Sequence, residues 1–224
     1  MLSDSICYIP PKKDNIQKAV IMLHGFGSNG YDLISMAPFI SNDLPNTVFY
    51  SPNANMEMPE TGGFKWFDLQ ENASTDFFTH FDYLQTLMMR AKQSLPLVNE
   101  FINHICQKHS LNSNQVILMG FSQGGLMALM SGLTNPDKLG GIIACSSIPI
   151  MINQILELDD IKNKPNVLLT HGTDDDIVPF IGMQISENTL TNIDCPVQNH
   201  TVPGMGHTID ESCIEKIISF IKTN

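Results

Sequence analysis

The sequence predicts an α/β protein with a mostly parallel central sheet and helices on both faces. Short runs of β-branched and other apolar residues recur along the chain, each of a length typical of a buried strand. Most of these runs are separated by longer segments with helical patterning. Such alternation makes successive strands parallel and joins them by right-handed crossovers.

Seven strands are predicted, and local signals delimit them. The first is a short edge strand that ends at Pro10-Pro11, and the others are apolar runs that end in turn residues. In chain order the predicted strands are 5–9, 19–23, 47–51, 115–119, 141–145, 166–170 and 197–202. The predicted helices are 77–90, 95–109, a helix beginning just after residue 122, 150–158, 179–190 and 210–222.

Composition favours one compact domain over residues 1–224. The chain has 224 residues, of which 42% are apolar, which suits a single large core. The N-terminal segment lacks the apolar region of a signal peptide, and no stretch reaches the about 18 apolar residues of a membrane span. We therefore expect no stable insertion into a membrane.

Charge and cysteine usage exclude further classes. The formal net charge is -11 and lysine and arginine do not cluster, which argues against binding to nucleic acid or to anionic membranes. The five cysteines are scattered, without C-x-x-C spacing. Free thiols in a reducing compartment are the expected state, which predicts a cytoplasmic protein.

A serine flanked by glycines follows the strand at 115–119. Gly120 and Gly124 enclose Ser122 in a G-x-S-x-G pattern, and the apolar run 126–130 follows directly. Glycines lack Cβ, so strand and helix can approach closely while the serine takes a strained backbone conformation. This strand–turn–helix pattern is the nucleophile elbow of the α/β-hydrolase fold and predicts Ser122 as an acyl-transfer nucleophile.

A second glycine-rich turn follows the strand at 19–23. Gly25, Gly27 and Gly30 form G-x-G-x-x-G, which after a strand can indicate a dinucleotide site. That site also needs an acidic residue near the end of the next strand, but strand 47–51 runs into Pro52-Asn53. The nucleotide interpretation is therefore disfavoured.

The same turn fits an oxyanion hole. In a serine hydrolase, one N–H donor belongs to the residue after the nucleophile, here Gln123, and the other to a loop after an early strand. The glycines on both sides of Phe26 free its backbone to turn the N–H inward. An ordinary glycine turn is the alternative.

An aromatic segment occupies about 53–81. It is set among glycine, proline, asparagine and threonine, so it is predicted to be a loop. Such a loop either packs as a satellite core or lines an apolar pocket, where it could act as a mobile flap. The predicted substrate-binding residues are Met58, Phe64, Trp66, Phe77 and Phe78.

A base and an acid for Ser122 follow in the expected order. In α/β-hydrolases the nucleophile, acid and base follow one another along the chain, each on a loop at the same sheet edge. Here Ser122 is followed by the carboxylates of residues 174–176 and then by His207, each just past a predicted strand. His24 and His171 precede glycines at strand ends, where a buried imidazole bonded to backbone is the usual role.

Two other candidate sites are disfavoured. Adjacent carboxylates at 174–176 point apart and have no histidine or glutamate partner at ligand spacing, so a metal site is disfavoured. Cys145 lies in an apolar strand, which favours a buried thiol over a nucleophile.

Five motifs in order resemble those of the small α/β-hydrolases of the acyl-protein thioesterase, carboxylesterase and lysophospholipase group. They are LHGFGSNG (23–30), KWFDL (65–69), GFSQGG (120–125), HGTDDDIVP (171–179) and GMGH (204–207). The resemblance covers nearly the whole chain and implies a fold without a large cap domain. It implies a triad of Ser122, Asp175 and His207, with oxyanion donors at Phe26 and Gln123. Phe64 stands where members often carry arginine.

The resulting hypothesis is a serine hydrolase that cleaves acyl esters or thioesters through an acyl-enzyme, without metal or cofactor. Its substrate could be a small ester, a lipid or an acylated protein. A lysophospholipase is the alternative within the class, and a catalytically idle binding module the alternative outside it. Whether the chain forms a homodimer is left open.

Overall fold

A seven-stranded sheet forms the centre of the computed structural model, which describes residues 2, 5–10, 15–69, 80–152 and 156–224. The strands are β1 (Ile6–Tyr8), β2 (Lys18–Leu23), β3 (Thr47–Ser51), β4 (Met56–Met58), β5 (Gly63–Lys65), β6 (Val116–Phe121), β7 (Gly141–Cys145), β8 (Val167–Gly172) and β9 (Val197–Val202). The order across the large sheet is β1-β3-β2-β6-β7-β8-β9, and β4 pairs with β5 in a separate hairpin. Within the large sheet β1 is antiparallel to β3, and the other neighbouring pairs are parallel.

Helices cover both faces of this sheet. They are α1 (Gly30–Ile34), α2 (Ala37–Ser41), α3 (Phe81–His109), α4 (Gln123–Thr134), α5 (Ile181–Asn192) and α6 (Glu211–Thr223). Alternate residues of β2 enter different cores: Ile21 belongs to the core that includes residues of α3, α4 and α5, whereas Met22 belongs to the core that includes residues of α1, α2 and α6. This alternation follows from the period of two in a strand.

The predicted α/β class, the parallel sheet and the covered faces are confirmed. All seven predicted strands are present, and their ends agree with the prediction to within two residues. No large cap domain interrupts the described part of the chain. The strands were recognisable because parallel strands buried on both faces are continuous apolar runs.

Three predicted helices differ from the structure. The helices expected at 77–90 and 95–109 form one helix, α3, with Pro96 inside it. A proline removes one backbone hydrogen bond, but a buried stripe from Leu84 to Ile105 continues past it and holds the helix on the sheet. The helix expected at 150–158 is absent from its described residues, and a short 3-10 turn occupies Leu158–Asp160.

The short helices α1 and α2 were not anticipated. Asn29 caps α1 by accepting hydrogen bonds from the N–H groups of Tyr31 and Asp32. Each helix has only five residues, too few for a periodic apolar pattern to be recognised.

The aromatic segment contains the β4–β5 hairpin, where a loop was expected. Phe64 in β5 also forms an isolated antiparallel bridge to Ser28 in the glycine-rich turn. Residues 70–79 lie outside the described residues. In the part of the chain that the structure describes, no helix is long and apolar enough to cross a membrane.

Candidate active site

Ser122 lies at the sharp turn between β6 and α4. Its φ of 54° and ψ of -114° are unusual for a residue with a side chain. A Cβ at Gly120 would overlap the Gly124 carbonyl, and a Cβ at Gly124 would overlap the Leu23 carbonyl. The Ser122 N–H donates to the Cys145 carbonyl at 2.9 Å, which ties the turn to β7. Ser122 directly precedes Gln123, the first residue of α4.

Asp175 follows β8 and is the buried member of the three aspartates. It is 6% exposed, whereas Asp174 and Asp176 are exposed. One carboxylate oxygen, Oδ1, accepts the N–H groups of Ile177 at 3.0 Å and Val178 at 2.8 Å. The loop therefore wraps around one carboxylate and leaves its neighbours in solvent.

His207 follows β9 and faces the other oxygen of that carboxylate. Its Nδ1 lies 2.8 Å from Asp175 Oδ2, and its ring packs against Phe121 with centroids 4.7 Å apart. Two backbone N–H groups join the loops: Asp174 donates to the Met205 carbonyl at 3.0 Å, and Gly204 donates to Thr173 Oγ1 at 2.9 Å. These bonds join the two loops and keep His207 facing Asp175.

The electrostatics of Asp175 keep it ionised. Burial acts to raise its pKa, but hydrogen bonds from His171, His207 and the Val178 N–H outweigh burial and hold the pKa well below the usual range. His171 Nε2 lies 3.2 Å from Oδ2 and 2.8 Å from the Val178 carbonyl. An ionised Asp175 accepts the Nδ1–H of His207, which leaves Nε2 free to act as a base.

Ser122 and His207 line one cavity, but their side chains are not hydrogen-bonded to each other among the described residues. In proteins without bound substrate, hydrogen bonds between catalytic groups are often long and tighten only in the complex. The structure thus brings the three predicted triad residues to one edge of the sheet, with the His207–Asp175 pair already formed.

The two predicted oxyanion donors flank Ser122. Phe26 and Gln123 both line the same cavity. In the described part of the chain, neither backbone N–H has a protein acceptor. Gln123 is the first residue of α4, where N–H groups have no partner within the helix and the helix dipole favours negative charge.

The cavity has a volume of about 490 Å³, within the range typical of small-molecule sites. Its wall is largely apolar, and no lysine or arginine belongs to it among the described residues. Asp32 is the one carboxylate on this described wall. The apolar side chains that line it are Phe26, Leu33, Met36, Leu69, Phe121, Ile148, Ile177, Val178 and Ile209.

Most of these lining residues were missed by the sequence analysis. They are scattered over several loops, the short helix α1 and the end of β6, so no single apolar run marks them in the sequence. Several of them follow the carboxyl end of a strand, where ligands bind in open parallel sheets.

The predicted substrate-binding residues are placed elsewhere. Met58, Phe64 and Trp66 do not line the cavity. Trp66 is fully buried and its indole Nε1–H donates to the His24 carbonyl at 2.9 Å, so its assignment to the substrate wall is corrected. Phe77 and Phe78 lie outside the described residues.

The alternative roles considered for other residues are settled by burial. His24 and His171 are each 1% exposed and contact backbone carbonyls, as predicted. Cys145 is fully buried, and burial raises the pKa of its thiol to about 12, so it is no nucleophile. Among the described residues, no group of three or more histidine, cysteine, aspartate or glutamate side chains is arranged to hold a metal ion.

Comparison with known proteins identifies the family. The sequence model of the phospholipase/carboxylesterase family matches residues 5–224. The chain belongs to this family. This confirms the resemblance to this family and makes the protein an esterase-like serine hydrolase.

Individual relatives match over nearly the full chain. Acyl-protein thioesterase 1 of Saccharomyces cerevisiae is 29% identical over 224 residues, covering 92% of each chain. Its namesake in Debaryomyces hansenii is 30% identical over 223 residues, covering 92% of this chain and 90% of the relative. The crystal structure of esterase PE8 superposes with a TM-score of 0.87 at 31% identity, covering 98% of this chain and 97% of that one.

Proposed function

We propose that this protein hydrolyses acyl esters or thioesters through a covalent acyl-enzyme on Ser122. The observation that carries this proposal is the shared cavity. Ser122 and His207 line one apolar cavity of about 490 Å³, and the Asp175 carboxylate is hydrogen-bonded to His207 Nδ1. A nucleophile, a base and an orienting carboxylate in that arrangement are what acyl transfer requires.

The triad would act through proton transfers at His207. Asp175 holds the Nδ1–H tautomer, so Nε2 accepts the Ser122 hydroxyl proton as Oγ attacks the acyl carbonyl. His207 then returns the proton to the leaving group, and the acyl ester remains on Ser122. Water deprotonated by the same nitrogen hydrolyses that ester and regenerates the serine.

The negative charge that forms on the carbonyl oxygen would be stabilised by the backbone of Phe26 and Gln123. Both residues line the cavity beside Ser122, and their N–H groups have no other acceptor in the described residues. Removing one such donor from a hydrolase typically lowers kcat by about 10²–10³-fold. The amino terminus of α4 adds a favourable dipole.

The acyl chain is assigned to the apolar wall described above, in place of the aromatic segment. Burying each CH₂ there contributes about 0.8 kcal/mol at most. The fungal relatives are named acyl-protein thioesterases, which makes an acylated protein one candidate substrate and a lysophospholipid another. The five cysteines of the chain are free thiols, which supports the proposed location in a reducing compartment.

The test combines an activity-based probe with a substrate panel. A fluorophosphonate should label the wild type and not Ser122→Ala, because labelling requires an activated serine. Ser122→Ala should reduce hydrolysis by about 10⁴-fold or more, since the triad acts as a unit. Near wild-type turnover in that variant overturns the nucleophile assignment, and an unlabelled, inactive wild type favours the idle binding module.

The panel should pair each ester with the thioester of the same acyl group, over rising chain length. Met36 lines the apolar wall, so Met36→Ala should lower kcat/KM more for long acyl chains than for acetyl. Equal losses across the panel would place the acyl chain elsewhere.

A further inference from the structure

Residues 63–67 form a strap that lies between the two loops of the candidate oxyanion hole. The strap comprises β5 and the two residues that follow it. One of the loops is the glycine-rich turn after β2, which carries Phe26. The other is the nucleophile turn after β6, which carries Gln123. Nearly one hundred residues separate these two loops along the chain, so the distance between them depends on tertiary contacts.

The amino-terminal half of the strap is bonded to the glycine-rich turn. The Gly27 N–H donates to the Phe64 carbonyl at 2.9 Å, and the Phe64 N–H donates to the Ser28 carbonyl at 2.7 Å. A Cβ at Gly63 would overlap the Gly27 carbonyl, so the two backbones lie in direct contact. These bonds fix the residues immediately after Phe26.

The carboxyl-terminal half of the strap is bonded to the Gln123 side chain. Gln123 Oε1 accepts the Trp66 N–H at 2.8 Å, and Gln123 Nε2 donates to the Phe67 carbonyl at 2.8 Å. The Gln123 side chain is fully buried, and both of its polar atoms are satisfied by the strap. Gln123, whose backbone N–H is a candidate donor of the oxyanion hole, therefore also binds the strap through its side chain.

Two further bonds fix the middle of the strap. The Trp66 indole N–H donates to the His24 carbonyl at 2.9 Å, just before the glycine-rich turn. From the other side, Ser94 in α3 donates its hydroxyl to the Trp66 carbonyl at 2.6 Å. Trp66 is fully buried and Ser94 is 4% exposed, so these bonds are shielded from water.

We propose that the strap sets the spacing between the Phe26 and Gln123 N–H groups. The Gln123 side chain, Trp66 and Ser94 are positioning residues of the oxyanion hole. This inference rests on the proposed function, because it concerns where the negative oxygen is held. Both donors must lie about 2.7–3.1 Å from that oxygen, so a small shift of either loop weakens the transition state more than the bound substrate.

The role predicts a distinct kinetic pattern for strap variants. Gln123→Met keeps the backbone N–H and removes both side-chain bonds to the strap, so kcat should fall about tenfold or more with KM within about twofold. The loss should be the same for short and long acyl chains, because the Gln123 side chain is buried against the strap and the strap does not line the cavity.

Ser94→Ala provides a milder variant with a matched control. Ser94 and Ser131 are both buried helix serines, and Ser131 donates to Asn99 Oδ1 at 2.7 Å between α4 and α3, away from the strap. The two alanine variants should lose similar stability. Only Ser94→Ala should lower kcat, by about fivefold, as expected for a displaced donor.

A boronic acid that adds to Ser122 supplies the decisive readout, because one of its oxygens occupies the oxyanion hole in the tetrahedral adduct. Its affinity should fall in Gln123→Met and Ser94→Ala by the same factor as kcat, and stay at the wild-type value in Ser131→Ala. If Gln123→Met does not fold, the comparison of Ser94→Ala with Ser131→Ala decides alone.

Wild-type kcat and boronate affinity in Ser94→Ala, or equal losses in the two serine variants, would overturn the strap's role. A wild-type enzyme that neither hydrolyses esters nor reacts with a fluorophosphonate would instead overturn the proposed function.

Discussion

Three consecutive aspartates follow β8, and burial distinguishes Asp175 from its neighbours. From the residues alone, each of the three carboxylates was a candidate acid, and only the resemblance placed the role on Asp175. The structure shows the physical difference, since Asp175 accepts two backbone N–H groups and the imidazole of His207.

Asp175→Asn should therefore lower kcat by about 10⁴-fold, because the amide favours the wrong tautomer of His207. Asp174→Asn and Asp176→Asn are matched controls, and both should stay within about threefold of the wild type since both side chains are exposed. Steady-state kinetics on one ester checks all three. A large loss of kcat in either control would assign the role of catalytic acid to that neighbouring aspartate instead.

His24 is buried directly before the glycine-rich turn, and its titration makes the stability of the fold depend on pH. Burial lowers its pKa, although the hydrogen bond to the Gly25 carbonyl and the charge of Asp32 oppose this. A lowered pKa means that the folded state binds fewer protons than the unfolded state, whose histidine titrates at about 6.5. The stabilising effect of neutral His24 is thus complete above that pH and is lost as the pH falls below it.

His24→Gln should remove this titration while keeping an acceptor for the Ala54 N–H, which lies 3.0 Å from Nε2. Urea denaturation over pH 5 to 8 should show a smaller acid loss of unfolding free energy in the variant than in the wild type. Parallel pH profiles for the two proteins would contradict this assignment.

At the scale of elements, the turn between β6 and α4 depends on backbone contact. Gly124→Ala would drive a Cβ into the Leu23 and His24 carbonyls, so strand β2 and helix α4 would have to separate. We expect a destabilisation of about 1–3 kcal/mol, as in overpacked cores, together with slower fluorophosphonate labelling.

Gly206→Ala is the matched control, since its Cβ would meet no atom closer than 3.9 Å. Its midpoint of urea denaturation should stay close to the wild type. A Gly124→Ala protein as stable and as reactive as Gly206→Ala would show that the close approach is not required.

Elements whose signal is local were predictable, and elements stabilised by distant partners were not. The strands of the sheet are short apolar runs, so their position follows from the sequence alone. The strands of the β4–β5 hairpin have only three residues each, and Phe64 in β5 pairs with Ser28, which is distant in the chain. The helices expected at 77–90 and 95–109 form the single helix α3, because its buried stripe continues through the residues between them and past Pro96.

At the scale of the whole molecule, charge is expected to affect which substrates approach. The formal net charge is -11, and the described wall of the cavity carries Asp32 but no lysine or arginine. A negative field raises the local concentration of cations and is screened by salt, with a Debye length of about 8 Å at physiological ionic strength.

Choline esters and the uncharged 3,3-dimethylbutyl esters of the same acids provide a matched pair of substrates. Raising the salt concentration should lower kcat/KM for the choline ester by about threefold or more and leave the uncharged ester unchanged. Asp32→Asn should reduce this salt dependence. Identical salt profiles for the two esters would rule out a steering role.

The convergence of the site residues was predictable because parallel strands end at one edge of the sheet. Ser122, Asp175 and His207 each follow a strand, so topology alone brings them together. The substrate wall was not predictable, because isolated residues such as Leu33, Ile148 and Ile209 converge only after the chain has folded.

The edge position of β9 gives the site a weak point. This strand pairs only with β8 in the described sheet, and none of its six residues is fully buried. His207 follows β9, whereas Ser122 follows the enclosed strand β6. Partial opening of the sheet from this edge costs less free energy than global unfolding and separates the base from the nucleophile. Loss of catalytic activity therefore requires less free energy than global unfolding of the protein.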